Sequence, residues 1–134
     1  DFLFLKELDP EMVGIGPFIA HKDTPFCNER SGTLDDTLFY LALLRLMLPN
    51  VLLPATTALG TIHPRGREMG VLSGANVVMP NLSPVSVRKK YMLYDGKICT
   101  GDEAAECRMC LSRRMERIGC EVVTDRGDYK KRLA

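Results

Sequence analysis

The sequence predicts an α/β fold built on about three parallel strands, and three observations carry that reading. Short apolar runs alternate with helical spacing along the first two thirds of the chain. The runs are continuous rather than alternating, which suits strands buried on both faces of a parallel sheet. The longest helical stretch carries its own start and stop signals.

In chain order, residues 2–8 read as the end of a helix, broken before Pro10. Residues 12–19 (MVGIGPFI) form the first strand candidate. Thr33 stands where an N-cap belongs, with Asp36 three residues on. Leu34, Leu38, Leu41, Leu44 and Leu48 follow at helical spacing, and Pro49-Asn50 stops that helix. Residues 51–58 (VLLPATTA) are a second strand, residues 64–73 a short helix closed by Gly74, and residues 76–80 (NVVMP) a third strand. This β-α-β-α-β order admits right-handed crossovers and leaves two architectures, a doubly wound sheet or a (β/α)8 barrel. Three strands cannot close a barrel, which takes roughly 200–250 residues, so on that reading about half of it is missing.

After Pro84 the pattern changes, which divides the chain into residues 1–84 and 85–134. Residues 87–93 read as a short basic helix, Asp95-Gly96 as a turn and residues 97–99 as extended. Residues 104–118 form a second helix ended by Gly119, and residues 121–124 a terminal strand before a basic tail.

The 134 residues carry 18 Lys+Arg against 17 Asp+Glu, with 46% hydrophobic and 26% charged residues. Those proportions exclude global disorder, and a net charge of +1 gives no general attraction to nucleic acid or anionic lipid. No apolar run reaches the ~18 residues of a membrane span. The longest, residues 38–48, is interrupted by Arg45. No signal-peptide pattern is visible, so the chain reads as cytoplasmic. It starts at Asp1 rather than Met and is expected to be a piece of something longer. Charge divides unevenly: residues 1–84 are net −3 and residues 85–134 net +4. Four of five cysteines, Cys99, Cys107, Cys110 and Cys120, lie in the last 36 residues, and Cys27 stands apart. An odd count without secretory signs argues against a disulfide framework.

Two groups of residues could carry chemistry. In Cys99-x7-Cys107-x2-Cys110, a CxxC pair places two thiolates near enough to share a metal, and a third cysteine can close the site. Three soft ligands suit iron–sulfur or zinc, with Cys120, water or another segment as the fourth. Polar residues also gather after the strand candidates: His21, Asp23 and Thr24, then Thr56 and Thr57, then Asn81 and Ser83. In both architectures the ligand site lies at that edge. Thr56 and Thr57 could bond the polar end of a small ligand or cap backbone locally. Gly14-Ile-Gly16 implies close approach of backbone to a ligand or neighbour. Tyr91 and Tyr94 stand three apart on the predicted short helix, where both could face one cleft. His21 and His63 read as loop residues. There is no Walker-type loop, nucleophile elbow or His-x-x-Glu.

At MVGIGPFIAHKDTPF, ATTALGTIHPRGREMGVLSGANVVMPNLSP and YMLYDGKIC the chain resembles the HydE family of FeFe-hydrogenase maturases, radical S-adenosylmethionine enzymes related to biotin synthase. The resemblance runs from about residue 5 to residue 130. It implies the C-terminal part of a (β/α)8 TIM-type barrel: strands six to eight with their helices, and a biotin/thiamin-synthesis-associated extension. In that family a 4Fe-4S cluster on a CxxxCxxC motif reduces S-adenosylmethionine to a 5′-deoxyadenosyl radical. The motif is not in these 134 residues, so the cluster ligands would lie outside them. The resemblance implies that Met12, Ile19 and Tyr91 contact the cofactor. It implies that Thr56, Thr57 and Tyr94 bind a small sulfur-containing or amino-acid-like substrate. Cys99, Cys107 and Cys110 match an accessory site, 2Fe-2S or zinc. Other hydrogenase maturation proteins, and the missing N-terminal half of the barrel or a second copy, are the expected partners. The alternatives are a non-catalytic metal-binding or interaction module and a biotin synthase-like sulfur-insertion enzyme.

Overall fold

The computed structural model describes residues 1–98 and 104–129, with backbone alone for residues 104–107. Helix α1 (Phe2–Leu8) ends on Asp9 in the left-handed conformation, φ 47°, just before Pro10. Helix α2 spans Leu34–Met47. Its predicted cap is present: Thr33 Oγ1 accepts the Asp36 N–H at 3.1 Å and donates to the Asp36 carboxylate at 2.6 Å. That satisfies one of the backbone donors a helix start leaves orphaned.

The helix buries Thr37, Leu41 and Leu44 on one face. With Leu48 they cover the sheet, where Val51, Leu53 and Ala55 are buried, and Val13, Leu59 and Ala75 complete the core. Arg45, the charge that interrupts the apolar run, holds the end of this layer. Its Nε donates to Gly74 O at 2.9 Å and its Nη1 to Pro49 O at 2.8 Å. The guanidinium thus takes a carbonyl just past its own helix and one in the loop before the last strand.

The sheet is parallel, as expected, but its strands are much shorter than the apolar runs. Strand β1 is Pro54–Ala55 and β2 is Val77–Val78, in register Pro54↔Val77 and Ala55↔Val78. The first strand candidate contracts to a single parallel bridge, Met12↔Leu52. Leu52 works to one side: it donates to Glu11 O at 2.9 Å and accepts from Val13 N at 3.0 Å. Leu53 works to the other, accepting from Asn76 N at 2.9 Å and Val77 N at 3.1 Å. Leu53 N–H donates to the Asn76 side chain at 2.8 Å, so an amide oxygen replaces a strand carbonyl. The next rung toward the first segment would need an N–H from Pro54, which has none, so the ladder stops there.

The second run also ends early. Thr56 is the N-cap of an unforeseen helix, α3 (Thr57–Ile62). Helix α4 (Gly66–Leu72) is the predicted one, and Gly74 beyond it adopts φ 119°. The predicted helix over 87–93 starts and ends earlier than expected. It is α5 (Val85–Arg88) followed by one 3-10 turn (Lys89–Tyr91). Helix α6 is Ala104–Glu116, with Gly119 at φ 76° after it. Residues 121–124 are not a strand. Helix α6 buries Leu111 and Met115, and Arg114 between them forks onto Glu68 of α4: Nε to Oε1 at 2.8 Å and Nη2 to Oε2 at 2.6 Å. Among the described residues no helix is long and apolar enough to cross a membrane.

Candidate functional site

A cleft of ≈ 240 Å³ opens past the carboxyl ends of β1 and β2. Thr57 reaches it from the start of α3, Asn81 and Ser83 from the loop after β2, and Tyr91, Leu93 and Lys97 from beyond α5. The sequence places polar residues at this sheet edge, and here Thr57, Asn81, Ser83 and Tyr91 converge. Thr56 does a different job. Its hydroxyl faces Leu59 N at 3.5 Å as the cap of α3. In this geometry Thr56 caps a helix and Thr57 lines the cleft.

Gly16 explains half of the Gly-x-Gly pair. A Cβ built there would stand 2.8 Å from Thr56 Oγ1, whereas one on Gly14 meets nothing within 4 Å. The close neighbour of Gly16 is therefore the side chain that caps α3. Gly16→Ala is expected to push the Thr56 hydroxyl off its cap and cost about 1 kcal/mol. Faster hydrogen exchange at the Leu59 amide, with the midpoint of unfolding lowered, checks this. An unchanged Leu59 amide would contradict it.

Ile19 is half-buried, and beside it Ala20 O accepts Asp95 N at 3.2 Å, which brings the turn after Tyr94 to this segment. Tyr91 is 58% exposed and Tyr94 half-buried. They do not share a helix as expected. Met92 leaves helical backbone at φ −80°, ψ 80°, so the i, i+3 geometry ends at Tyr91. Met12 lies elsewhere, lining a second cleft with Leu52, Val77, Met115 and residues 120–123. His21 Nδ1 accepts the Asp23 N–H and His63 Nδ1 the Arg65 N–H, each at 3.1 Å, so both histidines serve local turns.

Two site residues had no signal of their own in the sequence. Arg88 is 3% exposed and lines the cleft. Its Nε donates to Ser83 O at 2.8 Å and its Nη2 to Asn81 O at 3.1 Å. It thereby fixes the loop that carries both polar residues, while Asn81 Oδ1 accepts Ser83 N at 3.1 Å to tighten the turn. Lys97 completes the wall, donating to Tyr91 O at 2.8 Å.

The cysteine cluster lies largely outside the described residues. Cys99 and the Cys107 side chain are among the undescribed positions, and Cys110 is exposed on α6. Among the described residues no three His, Cys, Asp or Glu side chains gather as metal ligands. Cys27 is exposed and Cys120 partly buried, both as free thiols.

No protein-family model matches the chain. Over 131 residues, 98% of its length, it is 49% identical to the [FeFe] hydrogenase maturase subunit HydE of Thermotoga maritima. The chain spans 38% of the length of that relative. Nearly all of this sequence is thus similar to the C-terminal portion of a HydE hydrogenase maturase subunit.

Proposed function

We propose that the chain supplies part of the barrel wall and the C-terminal extension of a HydE-type radical S-adenosylmethionine maturase for FeFe-hydrogenase. The observation that carries this reading is the cleft itself. Thr57, Asn81, Ser83 and Tyr91 meet past the carboxyl ends of two parallel strands, in a chain 49% identical to a HydE subunit. That edge is where α/β barrels hold their ligands.

In this reading residues 1–84 belong to the barrel and residues 85–134 to the extension. Thr57 donates or accepts a hydrogen bond at the polar end of a small sulfur-containing or amino-acid-like substrate. Thr56 shapes the same rim through α3. Ile19 and Tyr91 flank the cofactor side, and Tyr94 closes the cavity beside the 95–96 turn. S-adenosylmethionine, when bound with a reduced cluster, would supply the radical. This chain has no CxxxCxxC to hold that cluster, so its own residues bind, orient and shield.

The test is anaerobic reconstitution with iron, sulfide and S-adenosylmethionine. The 134-residue chain alone is expected to form no 5′-deoxyadenosine. The full-length parent protein is expected to form it, and Thr57→Val in that protein to weaken substrate-dependent turnover while leaving cofactor binding intact. A parent sequence without an upstream CxxxCxxC, or product from the isolated chain, would overturn the reading. Metal content read in the same preparation tests the accessory site. Replacing Cys99, Cys107 and Cys110 together by serine should remove the iron or zinc they bind.

A further inference from the structure

Lys97 stands out on the cleft wall because one ammonium touches both tyrosines that the sequence singles out. Its Nζ donates to Tyr91 O at 2.8 Å and lies 5.9 Å from the centroid of the Tyr94 ring. The second distance is at the outer limit of cation–π attraction, so the carbonyl bond is the stronger hold. Tyr91 and Tyr94 lie on either side of a break in helical backbone at Met92, and no helix turn holds them together. Lys97 does so from the far side of the Asp95-Gly96 turn, where Gly96 at φ 69° reverses the chain.

Among the described residues no carboxylate pairs with Lys97. An ammonium has three donors, and the Tyr91 carbonyl takes one. The others face a wall shared with neutral Thr57, Asn81 and Ser83 and with the guanidinium of Arg88. A lining that holds two cations and no carboxylate favours an anionic group on the occupant.

We propose that Lys97 is the positioning and selectivity residue of this cleft. It holds Tyr91 and Tyr94 in place and offers its remaining donors to the carboxylate of an amino-acid-like ligand. The proposal rests on the reading of this cleft as the ligand site.

The test is an amide-resolved NMR titration of the labelled full-length parent protein with S-methyl-L-cysteine and with 2-(methylthio)ethylamine. The two probes differ by the carboxylate and neither exchanges with the chain's thiols. In the wild-type parent protein the amino acid is expected to shift the Thr57, Asn81 and Ser83 amides. Lys97→Met should weaken it about tenfold or more, the worth of one charge-assisted hydrogen bond. Lys97→Arg should restore it to within about threefold. Affinity for the amine, itself a cation, should be weaker; Lys97→Met should not lower it further, and Lys97→Arg should leave it unmoved. If Lys97→Met binds the amino acid as well as the wild type, the role of Lys97 is refuted and the cleft stands as the ligand site. If the wild-type parent protein shows no shifts in the cleft, the ligand-site reading falls, and the role of Lys97 falls with it.

Discussion

Leu53→Ala is expected to lower the free energy of unfolding by about 3–4 kcal/mol. Leu53 is fully buried, under the Leu41–Leu44 face of α2. Its backbone, just before β1, accepts from Asn76 N and Val77 N and donates to the Asn76 side chain. Those bonds anchor it, so the chain cannot slide to fill the void and the deleted methyl groups leave a cavity. A denaturant titration should show a lower midpoint with an unchanged slope. Leu72→Ala removes the same atoms from a residue 63% exposed and should cost under about 0.5 kcal/mol. A Leu53 loss below about 1 kcal/mol would mean that the α2–sheet layer is not the core of the fold.

Arg114→Ala is expected to cost about 3 kcal/mol, because it leaves the Glu68 carboxylate buried without its fork. It also removes the Arg114 bond to Pro64 O at 2.6 Å, one of the ties that dock α6. Burial pushes the Glu68 carboxyl up. Hydrogen bonds from Arg114 and from its own backbone, with the charges of Arg114 and Arg65, more than offset this and hold it below its ordinary value. A carboxyl lowered in the folded state contributes stability that is complete above its unfolded pKa of roughly 4.3. That contribution declines as pH falls below this value and is gone only below the folded pKa. Arg114→Ala removes two of the four lowering causes while burial remains, so the variant should lose less stability than wild type on acidification. Glu68→Gln in the Arg114→Ala background should recover part of the loss at neutral pH, since no buried charge remains. Unfolding free energies of wild type and the two variants between about pH 3 and 7 test this. If all three fall in parallel, the pair does not hold α6.

Much of the fold was legible because it rests on local chemistry. The Thr33–Asp36 cap, the leucine spacing of α2, the stop at Pro49-Asn50 and the glycine after α4 each act within a few residues. The parallel α/β class was legible for the same reason, from helices set between apolar runs. Strand lengths were not. An apolar run records burial, whereas a strand needs a partner for each N–H and C=O, and Pro54 and the Asn76 side chain decide where pairing ends. Thr56-Thr57 reads as the end of a strand by hydrophobicity, and only the completed fold shows a cap and a helix there.

The candidate site divides along the same line. The sequence by itself determined that polar residues would collect at the carboxyl edge of a parallel sheet, because the strand direction follows from the helical crossovers. It also determined, through its ordered motifs, the likeness to HydE that the 49% identity supports. Only the tertiary structure decided which of those residues meet. Met12 went to another cleft, Thr56 to a helix cap, and Thr57, Asn81, Ser83 and Tyr91 to one wall. Arg88 and Lys97 joined them without any motif of their own. Each acts by donating to main-chain carbonyls, and a carbonyl is present at every residue. Which one a long cationic side chain finds is settled by packing, not by the letters on either side of it.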